Sequence, residues 1–77
     1  MDIARLKKHW EFHSIRQLPD GTVLGLYRFL FTWGLMVGVK EWDYERRYCY
    51  KDLEDALSDL ETWDGTKAPP GPWIKEK

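Results

Sequence analysis

A single cysteine, Cys49, excludes an internal disulfide, and no Cys/His cluster shows the spacing of a structural zinc site. His9 and His13 stand four residues apart, as two ligands on one helix face would, yet no third ligand lies near them in the chain. The longest apolar tract, 23–39, is interrupted by Arg28, and its unbroken part, 29–39, falls short of the roughly 20 residues a membrane helix needs. No membrane partner is expected. A net charge of −1 provides no global field to draw in nucleic acid or an acidic surface. Phosphate-binding glycine loops, a serine elbow and the HExxH pattern are all missing. The first residues carry no apolar core of a signal peptide, and one unpaired cysteine suits a reducing compartment, so the expected location is cytoplasmic.

What the chain has in quantity is aromatic side chains: 5 Trp, 4 Tyr and 3 Phe among 77 residues. A domain this small buries only about 60–65% of its unfolded surface. With no disulfide or metal, stability must come from large rings, each removing roughly 150–250 Å² from water. Self-association would help, and a homo-oligomer is expected.

Residues 44–65 carry the clearest pattern. Tyr44, Arg46, Tyr48 and Tyr50 alternate with Glu45, Arg47 and Cys49, the period of a strand. A helix over about 52–63 follows directly, with Leu53, Ala56, Leu57, Leu60 and Trp63 as its apolar stripe. Asp52 is the expected N-cap and Gly65 the expected left-handed C′ residue. Upstream, a short helix over about 2–9 capped by Asp2, then a strand to Leu18, precedes a turn at Pro19-Asp20-Gly21. The pattern then predicts a central strand over 22–31, with Gly25 marking a bulge or close backbone approach. A reversal at 32–34 and a strand over 35–40 complete the predicted meander. The sum is an α+β domain over 1–65: three to four antiparallel strands, one amphipathic helix on a face and a short N-terminal helix. Residues 66–77, with Pro69-Pro70-Gly71-Pro72, form an extended Pro-rich tail that either docks on its own domain or reaches a partner.

Taken together, Asp20-Gly21-Thr22, Gly25-Leu26-Tyr27-Arg28, Arg47-Tyr48-Cys49-Tyr50, Trp63-Asp64-Gly65 and Pro69-Pro70-Gly71-Pro72-Trp73-Ile74-Lys75 resemble small proteins encoded by bacteriophages and prophages of proteobacteria, a group of unknown function. The resemblance covers roughly 16–77. It implies a viral accessory protein in a bacterial cytoplasm, and it brings no activity, cofactor or catalytic residue.

Candidate chemistry divides four ways. Cys49 beside His9 or His13 suggests a thiol–imidazole pair, against which a small core residue in alternation is the simpler reading. Arg46 and Arg47 with Tyr44, Tyr48 and Trp42 suggest a stacking surface for single-stranded nucleic acid or RNA. The acids of the helix, Asp55 and Asp59 among them, suggest a phosphate mimic, though any amphipathic helix has a solvated face. Trp73 and Ile74 after the prolines are hot-spot candidates. The resulting expectation is a non-enzymatic interaction module without cofactor or metal, binding a host or phage protein or a second copy. Its surface would comprise Arg46, Arg47, Tyr44, Asp55, Asp59, Trp73 and Ile74. Nucleic-acid binding through the Tyr/Arg strand face is the alternative.

Overall fold

The computed structural model describes residues 3–76. In chain order the elements are α1 (Ile3–Trp10), β1 (Ser14–Gln17), β2 (Val23–Phe29), β3 (Thr32–Val37), β4 (Arg46–Tyr50), α2 (Leu53–Thr62) and the two-residue β5 (Lys75–Glu76). The strands form one sheet in the order β1-β2-β3-β4-β5, every neighbouring pair antiparallel. The chain is an α+β meander, as its alternating and helical periods predict.

Alternation sorts the sheet residues between two helices. Leu24, Leu26, Leu35, Val37, Tyr48 and Tyr50 are buried together with Ala56 and Leu60 of α2 and with Trp63 just beyond it. The other face holds Val23 and Met36, packed with Leu6 of α1 and with Phe12. A second small core therefore lies under the short N-terminal helix. The expected Asp2 cap of that helix lies outside the described residues.

Trp10 ends α1 and does not begin a strand. Glu11 adopts φ 57°, the Glu11 amide donates to the Lys8 carbonyl and the Phe12 amide to that of Lys7. This bond pair is a Schellman stop with glutamate at the left-handed position. It turns Phe12 back onto the sheet, where its ring lies over Gly25. A Cβ on Gly25 would meet that ring at 2.3 Å, so the glycine serves close approach and no bulge.

The reversal between β2 and β3 falls at Leu30-Phe31, two residues before the predicted turn. Thr32 pairs with Phe29, Trp33 with Arg28 and Gly34 with Tyr27. Gly34 sits mid-strand because the Tyr27 ring occupies the space its Cβ would fill, at 2.3 Å. Tyr44 lies outside β4, and its ring packs edge-on to Trp10 at 6.4 Å on the α1 side. It does not share the face of Arg46, Tyr48 and Tyr50.

Asp52 is the N-cap of α2 by position, and its carbonyl accepts the Ala56 amide, but its side chain makes no capping bond. At the other end Trp63 is the C-cap, so Gly65 (φ 91°) takes its left-handed turn one residue later than a C′ glycine would. The last-turn carbonyls are satisfied from β1 instead. Arg16 Nη1 donates to Leu60 O and to Trp63 O, both at 2.9 Å, placing a cation at the negative end of the helix. Arg16→Gln is expected to cost about 1.5–3 kcal/mol, the range of a hydrogen bond to a charged group. Chemical denaturation of both proteins measures this, and an unchanged midpoint would refute the cap.

The tail is strapped to its own domain. Pro69 is buried, Gly71 N–H donates to Asp59 Oδ2 at 2.8 Å, and Trp73 Nε1 donates to Pro69 O at 3.1 Å. The Trp73 ring meets Tyr48 edge-on at 5.1 Å. The Ile74 amide donates to Cys49 O at 2.6 Å, and β5 then pairs with β4, adding a strand to the predicted meander.

Candidate functional site

Only part of the sheet face opposite α2 is covered by α1 and Phe12. The hairpin end of that face stays open, as a groove of about 220 Å³ lined by Phe29, Leu30, Phe31, Thr32, Arg47, Cys49 and Ile74. Phe29 is 46% exposed, Leu30 74%, Phe31 89% and Ile74 58%. Scattered apolar residues at a surface are ordinary, but here four large ones surround one groove.

The hairpin tip has a backbone that folding alone would not choose. Two-residue hairpin loops favour Asn-Gly or similar pairs, because positive φ is needed there. Here the loop is Leu30-Phe31, and Leu30 holds φ 50°. A left-handed leucine costs on the order of 1–3 kcal/mol, and such strain concentrates at functional positions. Two side chains hold the turn: Arg28 Nε donates to Leu30 O at 3.0 Å, and Thr32 Oγ1 to Phe29 O at 3.1 Å.

Arg47 borders the groove from β4, opposite Met36. Its Nη1 donates to the Tyr27 hydroxyl at 2.9 Å, and its guanidinium carbon lies 5.5 Å from the Phe29 ring centroid. Burial raises Tyr27 above the usual phenol range, while the bond and charge of Arg47 pull it back in part, so the ring stays protonated at neutral pH. Arg47 Nε is shielded from solvent and meets no acceptor. No ion pair links Arg47 to a carboxylate among the described residues.

The residues expected to form one working surface are dispersed. Arg47 and Ile74 do meet at the groove. Arg46 points to the opposite sheet face, where Nη1 donates to Tyr48 Oη at 3.1 Å. Trp73 is half-buried against Tyr48 on that face. Tyr44 belongs to the α1 cluster, and Asp55 is a half-buried position of α2. Asp59 is not a surface acid: it is 2% exposed and accepts the Tyr50 hydroxyl at 2.6 Å. Tyr48 and Tyr50 lie in the core under α2, so their rings are not placed to stack on bases.

Cys49 is buried at the groove floor, on the face away from Tyr48 and Tyr50. His13 packs edge-on to Trp33, which pairs with Tyr50 on the α2 side, and His9 packs edge-on to Trp42. The sheet thus separates the Cys49 thiol from the His13 imidazole. Among the described residues no group of three potential metal ligands assembles.

Phe29, Leu30 and Phe31 escaped sequence reasoning because they read as the end of a strand. A signal was present, since the tract from Val23 outlasts an ordinary strand of about 5–6 residues and must turn somewhere within an apolar stretch.

Comparison with protein-family models, with curated proteins and with solved structures finds no match for this chain.

Proposed function

We propose that this chain is a non-enzymatic binding module that docks a protein partner on its β2–β3 hairpin tip and the adjoining groove. The observation that carries this reading is the open apolar surface of Phe29, Leu30, Phe31 and Ile74, built on a strained turn. Phenylalanine and leucine at a hairpin tip expose area to water and strain the backbone, so folding is the loser by their presence. A partner that buries them reverses the solvation loss. The resemblance to phage-encoded proteins makes a protein of the bacterial host or of the phage the natural candidate.

The test places a benzophenone amino acid at position 31, and as a control at Asp20, in the turn at the other end of β2. In proteobacterial cells, position 31 is expected to form a discrete crosslinked species and position 20 is not. Equal crosslinking from both positions, or none from position 31, refutes the reading. A companion variant, Leu30→Gly with Phe31→Asn, relieves the positive φ. It should melt higher, because relief of the left-handed strain, about 1–3 kcal/mol, outweighs the roughly 0.5–1 kcal/mol of chain entropy that glycine costs, while losing the crosslinked partner. A variant that melts lower would show that the hairpin residues serve the fold.

A further inference from the structure

Resting on the docking reading above, we propose that the groove takes a protein segment combining one apolar anchor side chain with a carboxylate, and that Arg47 reads the charge. The volume, about 220 Å³, lies below the roughly 300–1,000 Å³ of small-molecule sites and suits one or two side chains. The arginines differ in what surrounds them. Arg16 is absorbed by the carbonyls of α2, Arg5 pairs with Glu41 at 2.8 Å, Arg28 donates to Leu30 O and lies over the Trp33 ring, and Arg46 lies against the Tyr48 ring and hydroxyl. Arg47 is half-buried in an apolar setting, its one described hydrogen bond goes to a neutral phenol, and its Nε has no acceptor. A cation withdrawn from water without a counter-charge is costly, and an incoming carboxylate would offset that cost. Guanidinium geometry suits a carboxylate with two parallel bonds.

The same feature argues against a second copy as the occupant. Among the described residues the groove lining contains no acid, so a two-fold contact through it would set guanidinium against guanidinium. A two-fold contact through the groove therefore leaves Arg47 without a carboxylate.

The experiment selects random twelve-residue displayed peptides on the intact protein, on Arg47→Gln, on Arg47→Lys and on the Leu30→Gly, Phe31→Asn hairpin variant. Wild type is expected to enrich peptides that join a large apolar residue to Asp, Glu or a free C-terminus. Arg47→Gln should lose the acidic preference and bind the selected peptide about tenfold more weakly, with Arg47→Lys between the two. In the selected peptide, acid→amide replacement should produce the same loss on wild type and remove the salt dependence, a readout that leaves the protein unaltered. Enrichment of apolar peptides without acid, or equal binding to Arg47→Gln, overturns the carboxylate inference and leaves the docking reading standing. Selection that is identical on wild type and the hairpin variant, or that enriches nothing on either, overturns both.

Discussion

Asp59→Ala should remove about 3 kcal/mol of stability and lower the melting temperature by about 12–24 °C. Total stability for 77 residues is about 4–12 kcal/mol, so the loss is at least about a quarter of it. The reason is one oxygen with two roles: Asp59 Oδ2 accepts both the Tyr50 hydroxyl at 2.6 Å and the Gly71 amide at 2.8 Å. Removing it leaves a buried hydroxyl and a tail amide without an acceptor, each costing about 1–3 kcal/mol. Asp59→Asn is the discriminating control. Its carbonyl oxygen can take the place of Oδ2, so the loss should be only about 1 kcal/mol, the net worth of an ordinary hydrogen bond. Thermal and urea unfolding measure the stabilities. Faster amide exchange at Ile74, whose N–H bonds to Cys49 O, would report release of the tail. Equal losses for alanine and asparagine would mean that the oxygen is not the cause.

The same pair predicts an alkaline limb of stability. Burial, then the bond to Asp59, raises the Tyr50 phenol well above its usual value of 10.0. The folded state keeps a proton that the unfolded chain gives up near pH 10. The contribution is therefore complete below that pH and is lost as pH rises beyond it, at up to about 1.4 kcal/mol per pH unit. Lysines and the other tyrosines titrate in the same range, so the quantity to measure is the difference between wild type and Tyr50→Phe. That difference should shrink between pH 9 and 11.5. A difference independent of pH would refute the linkage.

Gly25→Ala should cost about 2–3 kcal/mol, the upper part of the range for overpacking a core. The added methyl would lie 2.3 Å from two carbons of the Phe12 ring and 2.6 Å from a third. The ring cannot yield cheaply: it is buried, stacked at 6.0 Å on Trp10, and fixed at its backbone by the Schellman stop of α1. Adding Phe12→Leu should recover about 1–2 kcal/mol through coupling in a double-mutant cycle. Neutral Gly25→Ala, or strict additivity with Phe12→Leu, would show that the ring does not rest on this glycine. The clash lies at the β1 side of the sheet, so crosslinking at position 31 should be retained wherever the variant is folded.

Local chemistry made several elements legible. The stripe of α2 from Leu53 to Trp63 repeats at helical spacing, and the Pro19-Asp20-Gly21 turn follows from proline, glycine and an aspartate that accepts the Thr22 amide at 2.9 Å. The β2–β3 turn was not legible, because Leu30-Phe31 contains none of the residues by which turns announce themselves. Asp59 reads as solvated from its place among acids. It points inward because Tyr50 and Gly71, 9 and 12 residues away, converge on its carboxylate. Of the candidate surface, Arg47 and Ile74 were found from sequence, while the hairpin that completes the groove was not.

By itself the amino-acid order determined the α+β class, the amphipathic helix after β4 and the opposition of Arg46 to Arg47 across the sheet. These follow from periods of two and 3.6 residues and from the residues that start and stop elements, all local properties. The buried core is mostly aliphatic, with Phe12, Tyr48, Tyr50 and Trp63 as its aromatic members. Tertiary structure alone decided how much of each face is covered. α2 and the tail absorb Arg46, Tyr48, Tyr50, Asp59 and Trp73, whereas α1 has eight residues and closes only part of the other face. Arg47, Ile74 and the hairpin stay open because that helix is short and a leucine turn carries the strand end past it. Alternation assigns residues to faces, but which face remains bare depends on where distant segments pack.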